Sequence, residues 1–121
     1  MKQVLIVDDS EQIRKRLVEM LSESTQICIV GQTGNGEDAL KMLRRLKPDT
    51  AIVDIRLPGS SGIELLKEIK ALYPETTVIM LTNFDSPQYR SQCRRLGADH
   101  FLNKTLEFEK IVNTIINNQA H

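Results

Sequence analysis

Apolar positions along the chain alternate between two spacings. Short runs rich in Val, Ile and Leu lie at Gln3–Val7, Ile27–Gly31, Thr50–Val53, Thr77–Leu81 and Asp99–Leu102. They lack strict in–out alternation, which suits parallel strands covered on both faces. Between them the spacing becomes helical. Ile13, Leu17, Met20 and Leu21 make one stripe, Leu65, Leu66, Ile69 and Leu72 a second, and Phe108, Ile111, Val112 and Ile115 a third. Leu40 and Leu43 mark a helix over 37–46. The segment Ser86–Leu96 carries only Tyr89, Cys93 and Leu96, the thinnest apolar face of the set.

Boundary residues agree with this division. Ser10 stands before the first helix, where its hydroxyl can accept a backbone N–H, and Glu11 suits the positive helix end. Asn35-Gly36 leads into Glu37-Asp38, and Ser86-Pro87 reads as a cap followed by proline in the first turn. Pro48 and Pro74 follow helical stretches, and Gly97 falls at a left-handed helix end. Strands alternating with helices imply right-handed crossovers and helices on both faces of one sheet. The pattern predicts a single doubly wound α/β domain.

Size and composition permit that fold and narrow the chemistry. The 121 residues fit one domain of the usual ~100–200, enough to bury about two-thirds of the unfolded surface. Sixteen basic and sixteen acidic side chains cancel, which argues against a general polyanion binder. No apolar run approaches the ~20 residues that span a bilayer, and Asp8-Asp9 interrupts the N-terminal one, so neither membrane span nor signal peptide is expected. Cys28 and Cys93 have no metal-ligand spacing and read as buried or half-buried free thiols. His100 and His121 are lone histidines, and Tyr73 and Tyr89 read as helix packing residues.

The chemistry-bearing residues gather where such sheets bind ligands, beyond the carboxyl ends of the strands. The first strand ends in Asp8-Asp9, the third in Asp54, the fourth in Thr82, and Lys104 follows the fifth. Each alone is an ordinary capping or solvated residue. Together they would place three carboxylates, a hydroxyl and an ammonium on one rim. Converging carboxylates repel unless they share a cation, and Mg²⁺ is a hard ion that takes carboxylates, carbonyls and waters.

Val-Asp-Asp at 7–9, Val-Asp-Ile-Arg-Leu-Pro-Gly at 53–59, Leu-Thr at 81–82 and Gly-Ala-Asp-His-Phe-Leu-Asn-Lys at 97–104 resemble the bacterial two-component response-regulator receiver domain, of the chemotaxis-regulator-like superfamily. The resemblance spans essentially the whole chain. It implies a flavodoxin-like, three-layer (βα)5 domain over residues 1–121, its parallel strands in the order 2-1-3-4-5 and no output domain in the chain. By the same resemblance Asp54 accepts a phosphoryl group from a phosphohistidine on a sensor histidine kinase or phosphotransfer protein. Asp9, Asp54 and the backbone carbonyl of Arg56 would bind Mg²⁺ directly and Asp8 through water, with Mn²⁺ as the alternative ion. Lys104 and Thr82 would hold phosphoryl oxygens, and Pro58-Gly59 would shape the loop. Thr82 and Phe101 match the switch pair, predicting a change across the fourth helix, fifth strand and fifth helix. A cytoplasmic location, phosphorylation-dependent homodimerisation, and a downstream target or a missing output domain are further implications.

Some positions depart from the commonest family pattern. Thr105 replaces the frequent proline after Lys104, and a cis bond without proline costs about 2.5–4 kcal/mol, so the resemblance leaves the isomer of the Lys104–Thr105 peptide open. Asn83, Phe84 and Arg56 are bulky neighbours expected to crowd the phosphoryl group and alter its lifetime. Two rival enzymes fit less well. A haloacid-dehalogenase-type phosphatase needs an acid two residues after its aspartyl nucleophile, where Arg56 stands. A P-loop needs a lysine after its glycines, which Gly31, Gly34 and Gly36 lack. Arg44, Arg45, Lys47, Arg90, Arg94 and Arg95 read as solvated faces, with a dimer or partner contact as the alternative for the last three. No DNA-reading surface is expected, since interleaved aromatics and a recognition helix are missing. The other settings are the receiver of a longer DNA-binding transcriptional regulator and an interaction module that works without phosphorylation.

Overall fold

Every apolar run of the sequence is a strand, and every amphipathic stretch contains a helix. The computed structural model describes residues 1–118, so His121 lies outside the described residues. The order is β1 (Lys2–Val7), α1 (Glu11–Leu21), β2 (Ile27–Thr33), α2 (Gly36–Leu46), β3 (Thr50–Val53), β4 (Arg56–Leu57), β5 (Ser60–Ser61), α3 (Gly62–Leu72), β6 (Thr77–Thr82), α4 (Pro87–Arg95), β7 (His100–Asn103) and α5 (Ile111–Ile116). One 3-10 turn, Phe108–Lys110, precedes α5 and carries the first residue of its predicted stripe. The main sheet runs β2-β1-β3-β6-β7, all parallel. Counting only its own strands, this is the expected order 2-1-3-4-5.

The period-two geometry of the strands divides the core. Leu5, Val7, Ala51, Val53, Val78 and Met80 face one way and pack with Ala39 and Leu43 of α2, Leu65, Leu66 and Ile69 of α3 and Cys93 of α4. Val4, Ile6, Ile52, Ile79, Leu81 and Leu102 face the other way, against Leu17 and Leu21 of α1 and Ile111 and Ile115 of α5. A strand buried on both faces cannot alternate apolar and polar residues, which is why these runs read as continuous.

Helix ends follow local chemistry. Ser10, Asn35, Ser61 and Ser86 each cap a helix by accepting a backbone N–H from within its first turn. Helix α4 ends as a Schellman motif, with Ala98 N–H donating to Cys93 O and Gly97 N–H to Arg94 O. Gly97 supplies the left-handed residue at φ +101°. Only Cys93 of α4 is buried, so the thin apolar face read from the sequence is also the least anchored helix face. Cys28 departs from its expected burial and is exposed. It pairs with exposed Gln3 at the amino-terminal margin of the sheet, on the edge strand.

The ribbon β4–β5 was not read from the sequence. Its two-residue turn is Pro58-Gly59, with Gly59 at φ +71°. Proline followed by a residue of positive φ is the type II turn requirement. The ribbon returns the chain from Asp54 directly into α3.

Candidate functional site

Backbone ladders extend one residue past the strand ends and thereby place the polar side chains. Asp8 N–H donates to Thr33 O, Asp54 N–H to Val7 O, and Lys104 N–H to Thr82 O, each at 3.0 Å. Asp54 is thus registered beside the end of β1, and Lys104 beside the end of β6. Local bonds then orient the carboxylates. Asp8 Oδ1 accepts Ser10 N–H at 2.9 Å, and Asp54 Oδ1 accepts Ile55 N–H at 2.7 Å. Arg14 donates from Nη1 to Asp8 O at 2.6 Å and from Nε to Gln32 Oε1, fixing the turn between β1 and α1.

These constraints bring Asp8, Asp9 and Asp54 together, one oxygen from each lying within 4.8 Å of the others. Asp8 and Asp54 are buried, Asp9 is exposed, and the Lys104 ammonium sits 2.7 Å from both Asp8 Oδ2 and Asp54 Oδ2. Burial pushes the Asp8 carboxyl above the ordinary aspartate value, and the bonds from Lys104 and Ser10 only partly oppose this. Burial alone would lower Lys104, but its bonds to Asp54 and Asp8 outweigh that and raise it. One ammonium is therefore shared by two buried carboxylates, with Asp9 at the solvent side. The donors are all oxygens, the set a hard divalent cation prefers, so the cluster fits Mg²⁺.

Gly62, which was not singled out in the sequence, sets the back wall. A Cβ there would stand 1.8 Å from Asp54 O, and Gly62 N–H donates to Ile55 O. Only glycine allows α3 to start so close to the Asp54 backbone.

Thr82 is fully buried at the end of β6. Its hydroxyl accepts Phe84 N–H at 3.1 Å instead of reaching the carboxylates. Thr82 pairs with Asn103 and Met80 with Phe101, so Thr82 and Phe101 lie diagonally across one face of neighbouring strands. The Phe101 ring is half-buried. Arg56 lays its guanidinium 4.3 Å from the centre of the Phe84 ring. Asn83 turns its amide oxygen to Thr105, accepting the N–H at 3.1 Å and the hydroxyl at 3.0 Å. The Lys104–Thr105 peptide is trans, as are the other described peptides.

The solvated-face reading fails for Arg90. It forms a two-bond fork with Asp85, through Nε to Oδ1 and Nη2 to Oδ2, and reaches Glu107 at 3.4 Å. Sequence spacing hides this, because Glu107 lies on another loop and only the fold joins them. Arg94 and Arg95 are exposed, as expected.

The family model for the response regulator receiver domain matches residues 4–116. The chain is a response-regulator receiver domain. The receiver is 31% identical to the response regulator GacA of Pseudomonas aeruginosa over 115 residues, covering 95% of this chain and 54% of that protein. It is 32% identical to Protein CcdB of Bacillus subtilis over 121 residues, the full length of both. The receiver thus spans about half the length of relatives such as GacA. A crystal structure of a DNA-binding response regulator of the LuxR family from Staphylococcus aureus matches it with a TM-score of 0.90 at 29% identity, over 97% of this chain and 98% of that one. The response regulator domain of Thermotoga maritima CheB gives a TM-score of 0.86 at 30% identity, covering 97% and 92%. Among the described residues no helix is long and apolar enough to cross a membrane.

Proposed function

We propose that Asp54 is the phosphoryl acceptor of this receiver, with Lys104 and Thr82 as the groups that stabilise the transferred phosphoryl. The observation that carries this reading is the Lys104 ammonium held 2.7 Å from both Asp54 and Asp8 beside a third carboxylate. Asp8, Asp9, Asp54 and the carbonyl of Arg56 would hold Mg²⁺, or Mn²⁺ in its place. When bound, the ion offsets the repulsion between an anionic nucleophile and an anionic phosphoryl group.

The residues divide the remaining work. Ile55 N–H and Lys104 hold the two Asp54 oxygens and so fix the carboxylate plane. A carboxylate oxygen attacks phosphorus while the P–N bond of a kinase or phosphotransfer phosphohistidine breaks, and the imidazole leaves with the electron pair. Lys104 keeps its charge at the site through the transfer, since its ammonium is already paired there. Thr82 would turn its hydroxyl from Phe84 N–H to a phosphoryl oxygen, and Phe101 would follow into the space released. The stacked Arg56 and Phe84 crowd the approach of a hydrolytic water and lengthen the phosphoryl lifetime. Asn83 contributes by keeping the neighbouring loops together.

Catalysis by this domain is confined to its own phosphorylation and dephosphorylation, in the cytoplasm, with a sensor histidine kinase or phosphotransfer protein as donor. Downstream, the signal passes to a protein target, to a second copy, or to an output domain of a longer DNA-binding regulator. The half-length match to GacA fits the output-domain setting, and the whole-length match to Protein CcdB fits the other two.

Incubation with acetyl phosphate or phosphoramidate and Mg²⁺, read by intact mass, tests the reading. It predicts one phosphoryl adduct that chelation or Asp54→Asn abolishes. An inert protein would favour a phosphorylation-independent module, and steady phosphate release from unrelated monoesters would favour a phosphatase.

A further inference from the structure

We infer that Arg90 is a positioning residue, a brace that holds the switch aromatic Phe101 and the two loops bearing Thr82 and Lys104 in the unphosphorylated arrangement. The inference rests on the proposed phosphorylation of Asp54 and adds the element that resists it. Arg90 lies on α4, yet it contacts the loop before α4, strand β7 and the loop after β7. Its fork grips Asp85 in the loop between β6 and α4, three residues after Thr82. Nη2 also lies 3.4 Å from Glu107 Oε1, and Nη1 donates to Phe101 O at 3.5 Å. The guanidinium carbon is 4.7 Å from the centre of the Phe101 ring.

The acceptors are themselves tied to the residue before Lys104. Asn103 donates its backbone N–H to Glu107 Oε1 at 2.9 Å and its side-chain amide to Asp85 Oδ2 at 3.2 Å. Its amide oxygen accepts Thr105 N–H and Leu106 N–H at 2.9 and 2.8 Å. Asn83, directly after Thr82, accepts both donors of Thr105. Asp85, Asn103 and Glu107 thus close a ring of polar contacts through Arg90, and Thr82 and Lys104 are each joined to that network through their chain neighbours Asn83, Asn103 and Thr105.

This ring has physical consequences. A planar guanidinium can grip one carboxylate with two parallel bonds, reach a second and stack on an aromatic face, which an ammonium cannot combine. Drawing Thr82 and Lys104 toward a phosphoryl group displaces Asn83 and Asn103, and with them the Asp85 and Glu107 acceptors. The ring can then no longer close around Arg90, and Phe101 loses its cover. An open groove of about 150 Å³ lined by Arg90, Arg94, Ala98, Asp99, His100 and Phe101 gives the guanidinium and ring room to separate. Because Cys93 is the one fully buried residue of α4, with Tyr89 and Leu96 only partly buried against the core, the helix can follow. A contact present in only one of two states biases the equilibrium by its own worth in that state.

The test compares the protein with Arg90→Ala, Arg90→Lys and Asp85→Asn, using beryllofluoride with Mg²⁺ as the phosphoryl mimic. Backbone and Phe101 ring resonances are followed by NMR. The brace predicts that, without the mimic, Thr82, Phe101 and α4 resonances of Arg90→Ala move along the line toward the mimic-bound positions. Apparent mimic affinity rises about fivefold or more, the lower range of coupling between linked sites. Arg90→Lys falls between wild type and Arg90→Ala, and Asp85→Asn moves the same way as Arg90→Ala. Unmoved resonances with unchanged affinity overturn the inference, as does weaker binding in Arg90→Ala. A loss of melting temperature without movement along that line assigns Arg90 a merely structural role and also overturns it. If wild-type protein takes up no mimic, the phosphorylation reading fails, and the mimic-free Phe101 signals then decide whether Arg90 still restrains the ring.

Discussion

Lys104 is the residue on which the electrostatics of the site turns, because its one positive charge is paired with two carboxylates that are themselves buried. Replacing it with Met leaves Asp8 and Asp54 facing each other without a counter-charge. Removing one partner from a buried ion pair costs about 3–5 kcal/mol. Partial solvent access reduces this, so Lys104→Met should lower unfolding free energy by about 2–4 kcal/mol at neutral pH in urea titrations. The pH signs follow from the directions. Asp8 titrates above its unfolded value, so protonating it favours the folded state, a contribution lost as pH rises through the folded value. Lys104 also lies above its unfolded value, so its contribution is complete below the ordinary lysine range and lost as pH rises through the folded value. Carboxyl NMR should show the Asp8 midpoint above that of a free aspartate and higher still in Lys104→Met. A midpoint that falls on removing Lys104 would contradict the pairing.

Gly62 makes the opposite kind of demand, for space. A methyl at this position meets Asp54 O at 1.8 Å, and every atom it would meet is backbone, so none can rotate away. Gly62→Ala should cost about 3 kcal/mol or more, in the range reserved for steric clashes and broken cores, and should shift the Asp54 and Ile55 amide signals before unfolding begins. The acidic residues, Thr82 and Lys104 were legible in the sequence because chemistry at a strand end survives without coordinates. Gly62 was not, since close backbone approach leaves no mark in composition beyond the glycine itself. Arg90 was misread for a related reason: its acceptors are brought to it by the fold, and an arginine on a polar helix otherwise resembles any solvated one.

At the scale of elements, α4 stands apart. Its ends are well made, with the Ser86 cap, Pro87 in the first turn and the Schellman end at Gly97, yet Cys93 is its one fully buried side chain, with Tyr89 and Leu96 only partly buried against the core. Its stability is therefore local, resting on its caps and on Arg90. Amide exchange in α4 should be faster than in α1 and α3, which bury two and four residues respectively. Ser86→Ala, losing a cap bond of about 1 kcal/mol, should accelerate exchange in α4 selectively. Equal protection across the three helices would contradict this ranking. The brace around α4 also responds to acid. The bond from Arg90 holds Asp85 below the ordinary carboxylate range, and the Asn103 N–H does the same for Glu107. Their contribution is present above about pH 4, the ordinary carboxylate range, and fades as pH falls through the lower folded values. Arg90→Ala should raise the Asp85 midpoint. An unchanged midpoint would show that the fork does not persist in solution.

For the whole molecule, zero net charge conceals a segregated arrangement. Acidic groups converge at the carboxyl ends of the strands around one ammonium, and Arg94 and Arg95 point into solvent on α4. The strand order and two-sided burial were readable because continuous apolar strands alternating with amphipathic helices admit few arrangements, and the family resemblance chose among them. The β4–β5 ribbon was not readable, since two-residue strands carry no periodicity. Strand β7 ties the two halves of the expected response. Phe101 faces Arg90, while His100 meets Asn118 Oδ1 at 2.6 Å, and Asn118 in turn donates to Thr77 Oγ1 at 3.1 Å. Movement of β7 would thus be felt on α4 and just past the end of α5 together. On phosphorylation, amide shifts should concentrate on α4, β7 and α5 and leave the amino-terminal halves of β1 and β3 nearly unmoved.

The central claim is that Asp54 takes the phosphoryl group, and the most direct measurement is to locate it covalently. Protein treated with acetyl phosphate and Mg²⁺ is reduced with borohydride, which converts an acyl phosphate to the corresponding alcohol, and the digested peptides are sequenced by mass spectrometry. The account predicts homoserine at position 54 alone, with none when Mg²⁺ is chelated. Reduction at another carboxylate, or none at any, would contradict it.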